Sequence, residues 1–220
     1  MAVTFSGRVG EVLRSVDGQD APTQLTNQNA VLMQQSHGRY YNSTLRGRMF
    51  SQAVTPLGLA IPIYTATAIA GAVPIWNPPD SGVNVVPVFV DLGYGSGTAD
   101  FGAIGLMARK LRAIATGELM TAMANTTPMN GLFGAGQSSK TLSSNAGTCT
   151  VTAGAAGDWI RTIASINLEA ATGTAHGTLV VHYDFDGSLI VPPGNLIYLA
   201  ATKASVAIYA STVVWEEQPI

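Results

Sequence analysis

A turn followed by a strand, Ile75 to Tyr94, constrains this chain more than any other stretch. Asn77, Pro78, Pro79, Asp80, Ser81 and Gly82 are turn formers, each for its own backbone reason, and the run after them is dominated by β-branched valine. No helix starts there. Pro79 fixes φ and has no amide hydrogen, Pro87 interrupts the ladder, and Val83 to Leu92 is too short and too β-branched for a helix. The same grammar returns near the C-terminus, where Leu189, Ile190 and Val191 lead into Pro192, Pro193 and Gly194 and then into Asn195 to Leu199. Short apolar runs turned by Pro/Gly corners point to a single β-sandwich.

Only 11% of the 220 residues are charged, against roughly 25% in a typical soluble domain. With 47% hydrophobic residues the chain can bury a sizeable core, and part of its surface is expected to be covered by copies of itself or by a partner. A net charge of -2 argues against a dedicated nucleic-acid binder, which normally carries a strongly basic face. The single cysteine, Cys149, excludes an internal disulfide and cannot by itself build a structural zinc site. The N-terminus has no continuous apolar core after a basic start, so no secretory signal is read there. Leu57 to Ile75 carries no charge, but Pro62 and Pro74 would break a spanning helix, and its Ala, Thr and Ile content suits strands packed on both faces. No membrane association is expected.

Residues 1–52 differ from residues 53–220. They hold Arg8, Arg14, Arg39, Arg46 and Arg48, a polar Gln/Asn run from Gln24 to Gln35, and few apolar side chains. Such a segment cannot bury enough surface to fold alone, and it reads as an extended N-terminal arm that becomes ordered against something else. Its densest part is His37 to Phe50, where arginines and tyrosines alternate with no acid between them. Arg and Tyr carry much of the binding energy at protein interfaces.

From Ala53 onward the pattern is of strands. Gly93, Gly95 and Gly97 read as a tight strand connection with positive φ, because the Lys-Ser/Thr ending of a phosphate-binding loop is missing. Phe101 to Leu119 leans towards strand, and a weak strand is expected around Cys149 to Thr152 within a Gly/Ser/Thr-rich region. Trp159 to Glu169 alternates, with Ile160, Ala164, Ile166 and Leu168 on one face. Thr178 to Phe185 puts Leu179, Val181, Tyr183 and Phe185 inward, and Asp186-Gly187 closes it with a turn. Asn195 to Ala200 and Ala204 to Trp215 form a final pair of strands, and Glu216-Glu217 reads as a solubilising end.

No catalytic signature emerges. His182, Asp184 and Asp186 share a strand face by period two, but an outward face is polar because it meets water, and Asp186 is accounted for by its turn. No G-x-S-x-G occurs, and Cys149 lies between threonines with no basic neighbour. The expectation is a non-enzyme with no catalytic residue, no metal and no cofactor.

Five short motifs carry a resemblance: Arg46-Gly47-Arg48-Met49-Phe50, Trp76-Asn77-Pro78-Pro79-Asp80-Ser81-Gly82, Gly131-Leu132-Phe133-Gly134-Ala135-Gly136-Gln137, Val191-Pro192-Pro193-Gly194 and Val214-Trp215-Glu216-Glu217. With them the chain resembles structural proteins of tailed bacteriophages, similar to head auxiliary proteins, that is, cement or decoration proteins. The resemblance implies an all-β, jelly-roll-like antiparallel sandwich over residues 53–220, assembled as a homotrimer on the capsid exterior after synthesis in the host cytoplasm. It implies the major capsid protein as partner, gripped by the arm. Arg39, Tyr40, Tyr41, Arg46, Arg48 and Phe50 are then the expected contact anchors, and removing residues 1–50 should leave a folded trimer that no longer binds. The segment Arg109 to Met129 has no place in this pattern. The alternative is a receptor- or carbohydrate-binding module of a phage fibre or tail, with Trp159 or the Tyr183 to Asp186 region as its site.

Overall fold

The computed structural model describes residues 38–54, 57–64, 69–97, 102–110, 128–134, 136–144, 148–151, 157–166, 180–203 and 207–220. Residues 42–220 make one compact unit and residues 1–41 another, of which 38–41 are described. The elements are α1 (Tyr41–Leu45), β1 (Met49–Ala53), β2 (Leu59–Ala60), β3 (Ile69–Asn77), β4 (Val83–Ser96), β5 (Gly102–Lys110), β6 (Met129–Asn130), β7 (Leu142–Ser143), β8 (Thr148–Val151), β9 (Asp158–Ile166), β10 (Val180–Asp184), β11 (Asn195–Ala201) and β12 (Ile208–Pro219).

The strands form two antiparallel sheets packed face to face. One has the order β10-β4-β12-β1-β6 with β2 beside β12, and the other β7-β3-β11-β5-β9 with β8 beside β3. The long strands pair from the outside inward along the chain: β1 with β12, β3 with β11, β4 with β10 and β5 with β9. Pairing of β4 with β12 and of β5 with β11 rolls this nested hairpin into two layers, which is the topology of a jelly roll. The all-β sandwich expected from the Pro/Gly corners is therefore the fold. The final two strands, however, lie in opposite sheets and do not pair with each other.

The valine strand shows how Pro87 is accommodated. Trp215 pairs with Pro87 and Val214 with Phe89, so Val88 is an extra residue on β4, a β-bulge at the position where no amide hydrogen is available. The bulge resets the alternation: Val83, Val85 and Pro87 are buried before it, and Val88, Val90 and Leu92 after it. Of these, Val85, Val90 and Leu92 meet Ile75, Ile104, Leu106, Ile197, Leu199 and Trp215 between the sheets. In β11, Leu-Ile-Tyr-Leu-Ala is apolar without alternation, and both its faces are buried. Its outward side chains Leu196, Tyr198 and Ala200 join Trp76 and Met107 in a second cluster on the far side of that sheet.

The two Pro/Gly corners meet in space. Asn77, fully buried, donates from its side-chain amide to the carbonyl of Val83 (2.9 Å) and to that of Val191 (3.0 Å), and its own carbonyl accepts from the Gly194 amide (2.7 Å). Ser81 N–H bonds back to the Pro78 carbonyl (3.1 Å), closing a turn with Pro79 at its second position, and Gly82 follows at φ 69°. The Asp186-Gly187 turn has positive φ at both residues (49° and 72°), the mirror-image turn expected of that pair.

Several expectations need correction. Gly93 and Gly95 continue β4, and only Gly97 has positive φ, at 91°; the strand runs on because Tyr94 and Ser96 stay paired to β12. In β9 the alternation is broken by two register shifts against β5, which leave Ile163 and Ala164 both buried and Ile160 38% exposed. The sandwich begins before residue 53: Met49–Ala53 is a strand held between β12 and β6, and residues 41–45 of the stretch read as extended are helical. Phe101 to Leu119 is a strand where it is described, β5, and the expected weak strand is β8. Most of the arm, residues 1–37, and most of Arg109 to Met129 lie outside the described residues, as do Thr178 and Leu179. Among the described residues no helix is long and apolar enough to cross a membrane.

Candidate functional site

Helix α1 ends on a glycine. Gly47 takes φ 68°, its N–H bonds to the Thr44 carbonyl (2.9 Å), and Arg48 N–H reaches back to the Ser43 carbonyl (2.9 Å). This is the Schellman termination, and only glycine enters its left-handed position without steric cost. In Arg46-Gly47-Arg48 the two arginines thus flank a sharp reversal that feeds the chain directly into β1. Register then fixes the neighbour: Phe50 pairs with Trp215, and Glu217 N–H donates to the Arg48 carbonyl (2.9 Å).

A loop from residue 130 to 141 closes the other side. The Asn130 side-chain amide donates to the carbonyls of Gly47 (2.7 Å) and Gln137 (2.9 Å), while its Oδ1 accepts from the Leu132 N–H (2.8 Å). Gly136 has to be glycine, because a Cβ there would lie 2.1 Å from the Asn130 Cγ. Further along, the loop wraps the carboxylate of Glu217, which is 5% exposed. That carboxylate accepts from the Lys140 N–H at both oxygens (3.1 and 3.0 Å), the Thr141 N–H (3.3 Å) and the Ser139 hydroxyl (2.5 Å).

Between these parts is a cleft of about 380 Å³, lined by Arg46, Gly47, Arg48 and Phe50, by Ser81, Gly82 and Val83, by Gln137, Ser138 and Lys140, and by Glu217 and Pro219. Arg46 and Lys140 are exposed and Arg48 is half-buried. None of these three cations has an ion-pair partner among the described residues. The one acid in the wall, Glu217, is consumed by its own loop. The cleft therefore presents fixed positive charge beside an apolar wall of Val83 and Pro219, an arrangement suited to binding an anionic group attached to carbon.

Comparison of the chain with family models, characterised proteins and solved structures returns no match.

Of the residues expected as contact anchors, Arg46, Arg48 and Phe50 reach this cleft. Phe50 is not an accessible anchor: it is 2% exposed and stacks on the fully buried Trp215, with ring centroids 6.2 Å apart. Burial in the core removes it from any surface set. Arg39, Tyr40 and Tyr41 belong to the other unit, where the Arg39 guanidinium lies 5.2 Å from the centre of the Tyr40 ring. Glu217 was read as a solubilising end and is instead a buried structural carboxylate. Period two carried two residues past the inward Trp215 would have placed it inside, because β12 runs to Pro219. Lys140 and Ser139 gave no signal in the sequence, since they act through a loop. His182 contacts Asp91 (2.6 Å) rather than Asp184, whose carboxylate accepts from the Asp186 N–H (2.8 Å). Trp159 and the Tyr183 to Asp186 region, the two alternative glycan sites, lie in different sheets, and the Trp159 ring fills the space left by Gly105.

Proposed function

We propose that the protein is a structural component of a tailed-phage virion, a cement protein that binds the outside of the head and bridges major capsid subunits as a homotrimer. One observation carries this reading. Four of the five sequence motifs behind the resemblance, spread from residue 46 to residue 217, contribute to the wall of one cationic cleft, and the fifth, Val191 to Gly194, is tied to the corner beside it through Asn77. Motifs that converge on a surface whose cations have no ion-pair partner among the described residues have a binding role to explain them, beyond the turn each one makes. Jelly rolls serve in viral capsid and lectin domains, which is compatible with the reading although fold alone does not assign function. The low charge content supports surfaces covered by other subunits.

The test is co-sedimentation of the full-length protein with empty phage heads, with mass photometry of the free protein alongside. Saturable binding by a trimer is expected. A stable oligomer that fails to bind heads and is retained on a glycan array would overturn the proposal in favour of a fibre module. Because β1 begins at Met49, deletion of residues 1–50 would cut into the sheet and remove Phe50; a truncation meant to test the arm has to stop ahead of Tyr41.

A further inference from the structure

We propose that the cleft between the Arg46-Gly47-Arg48 reversal and the 137–140 loop is a carboxylate-recognition site that takes an acidic, extended peptide segment of the partner. This deepens the cement reading, on which the partner's identity rests, by naming the chemistry that the site grips.

Three features select that ligand. Two arginines offer planar forks that match a carboxylate with two parallel hydrogen bonds, and Lys140 adds a point charge from the facing loop. The cleft, at about 380 Å³, is far larger than a single inorganic anion needs and lies within the usual range for ligand sites. Its wall is mixed: Val83 and Pro219 can receive the aliphatic stems and backbone of Glu or Asp residues. Charge points the same way. With a net charge of -2 and the Glu217 carboxylate in the wall, there is no extended basic field to hold a polyanion, but local positive charge is ample for one or two side-chain carboxylates. Glu217 acts here as a positioning residue: it anchors the Lys140 backbone and so holds that residue in the cleft wall.

The experiment is fluorescence anisotropy of the full-length protein with a labelled tetraglutamate peptide, its tetraglutamine counterpart, and a labelled oligothymidylate of twelve nucleotides. The glutamate peptide is expected to bind and the glutamine peptide not to. Binding should weaken as salt rises, as it does for pairs that keep solvent contact. The double variant Arg46→Glu/Arg48→Glu should weaken glutamate-peptide binding at least about tenfold, since each exposed attraction becomes a repulsion. Arg46→Gln/Arg48→Gln serves if the reversal perturbs folding, and Arg48→Lys should lose affinity while retaining charge, because the fork is gone. Lys203→Glu, outside the cleft, should change nothing. Equal binding of both peptides, or unchanged binding by the double variants, would overturn the inference, and tighter binding of the oligonucleotide through the same arginines would replace it with a phosphate site. The two readings fail separately. Heads bound without peptide binding leaves the cement reading and removes this one; peptide bound without head binding does the reverse.

Discussion

Replacing Glu217 by Gln keeps the volume of the side chain and removes only its charge and one acceptor, so the change isolates what the carboxylate does for the fold. In the native arrangement both oxygens accept, and the Lys140 N–H straddles them at 3.1 and 3.0 Å. An amide turns one acceptor into a donor. Whichever way it is flipped, an NH₂ group faces a backbone N–H or the hydroxyls of Ser139 and Thr141 in a site that is 5% exposed. With the amide nitrogen in the place of Oε2, Oε1 keeps its other donors, the Lys140 N–H faces an NH₂ group, and the charge-assisted bonds become neutral ones, at a cost of about 1–3 kcal/mol. For a domain of this size that corresponds to a fall in Tm of about 2–12 °C. The assay is urea unfolding of Glu217→Gln beside Glu216→Gln, its half-buried neighbour on the opposite face of β12. The midpoint should fall for the first with the slope unchanged, and stay within about 0.5 kcal/mol of the parent for the second. Amide exchange at Lys140 and Thr141 should accelerate in Glu217→Gln. Equal midpoints for the two variants would refute the account of Glu217 as the clamp of the 139–141 loop.

Other positions give independent checks. Phe50→Ala should cost about 3–5 kcal/mol in unfolding experiments, as a core aromatic does, with any loss of partner binding explained by loss of folded protein. Asn77→Ala removes the side-chain link between the two Pro/Gly corners and should cost about 1–3 kcal/mol, because the carbonyls of Val83 and Val191 each lose one donor while that of Val191 keeps the Val85 N–H; Asn77→Asp should be worse, since it points an acceptor at them. Gly71→Ala should destabilise more than Gly105→Ala, each measured by thermal melts. At Gly71 the new Cβ would lie 2.1 Å from the ring and 2.7 Å from the Cβ of the 2% exposed Tyr198, which has nowhere to go, whereas at Gly105 it meets only the far ring of Trp159, which is 36% exposed and can swing out.

The fold was legible in the sequence wherever one residue type forces one backbone. Pro79 and Gly82 make a corner in any context, Asp186-Gly187 makes a mirror-image turn, and β-branched runs between such points make strands. What was not legible depended on pairing partners. The bulges in β9 come from its register against β5, so the inward assignment of Ile160 failed although the local pattern favoured it. Gly93 and Gly95 resemble a turn when read alone, but β12 supplies a ladder that carries β4 through them. At the candidate site, Arg46 and Arg48 were legible from composition, while Lys140 and Ser139 were not, because what brings them there is a buried carboxylate about eighty positions away in the chain.

The convergence at the cleft follows from the topology. A jelly roll pairs its first long strand with its last, so whatever immediately precedes β1 must lie beside the end of β12; here the Phe50–Trp215 register puts the Arg46-Gly47-Arg48 reversal against Glu217. The same rolling pairs β4 with β12 up to Val83–Pro219, which brings the Ser81-Gly82 corner to the same end of the sheet. Three segments distant in sequence are therefore neighbours for reasons that involve no ligand. Their proximity alone does not argue for a site. The argument rests on what the topology leaves free: nothing in strand pairing requires the three side chains around this corner to be cations or to go unpaired, and a purely structural corner would be expected to neutralise them. Glu217, the acid in the cleft wall, is committed to the loop instead. Substituting Arg46 and Arg48 by Gln should accordingly leave the unfolding midpoint within about 0.5 kcal/mol of the parent while binding is lost. A large drop in stability would mean that the arginines serve the fold, and the cleft would then need no ligand to explain it.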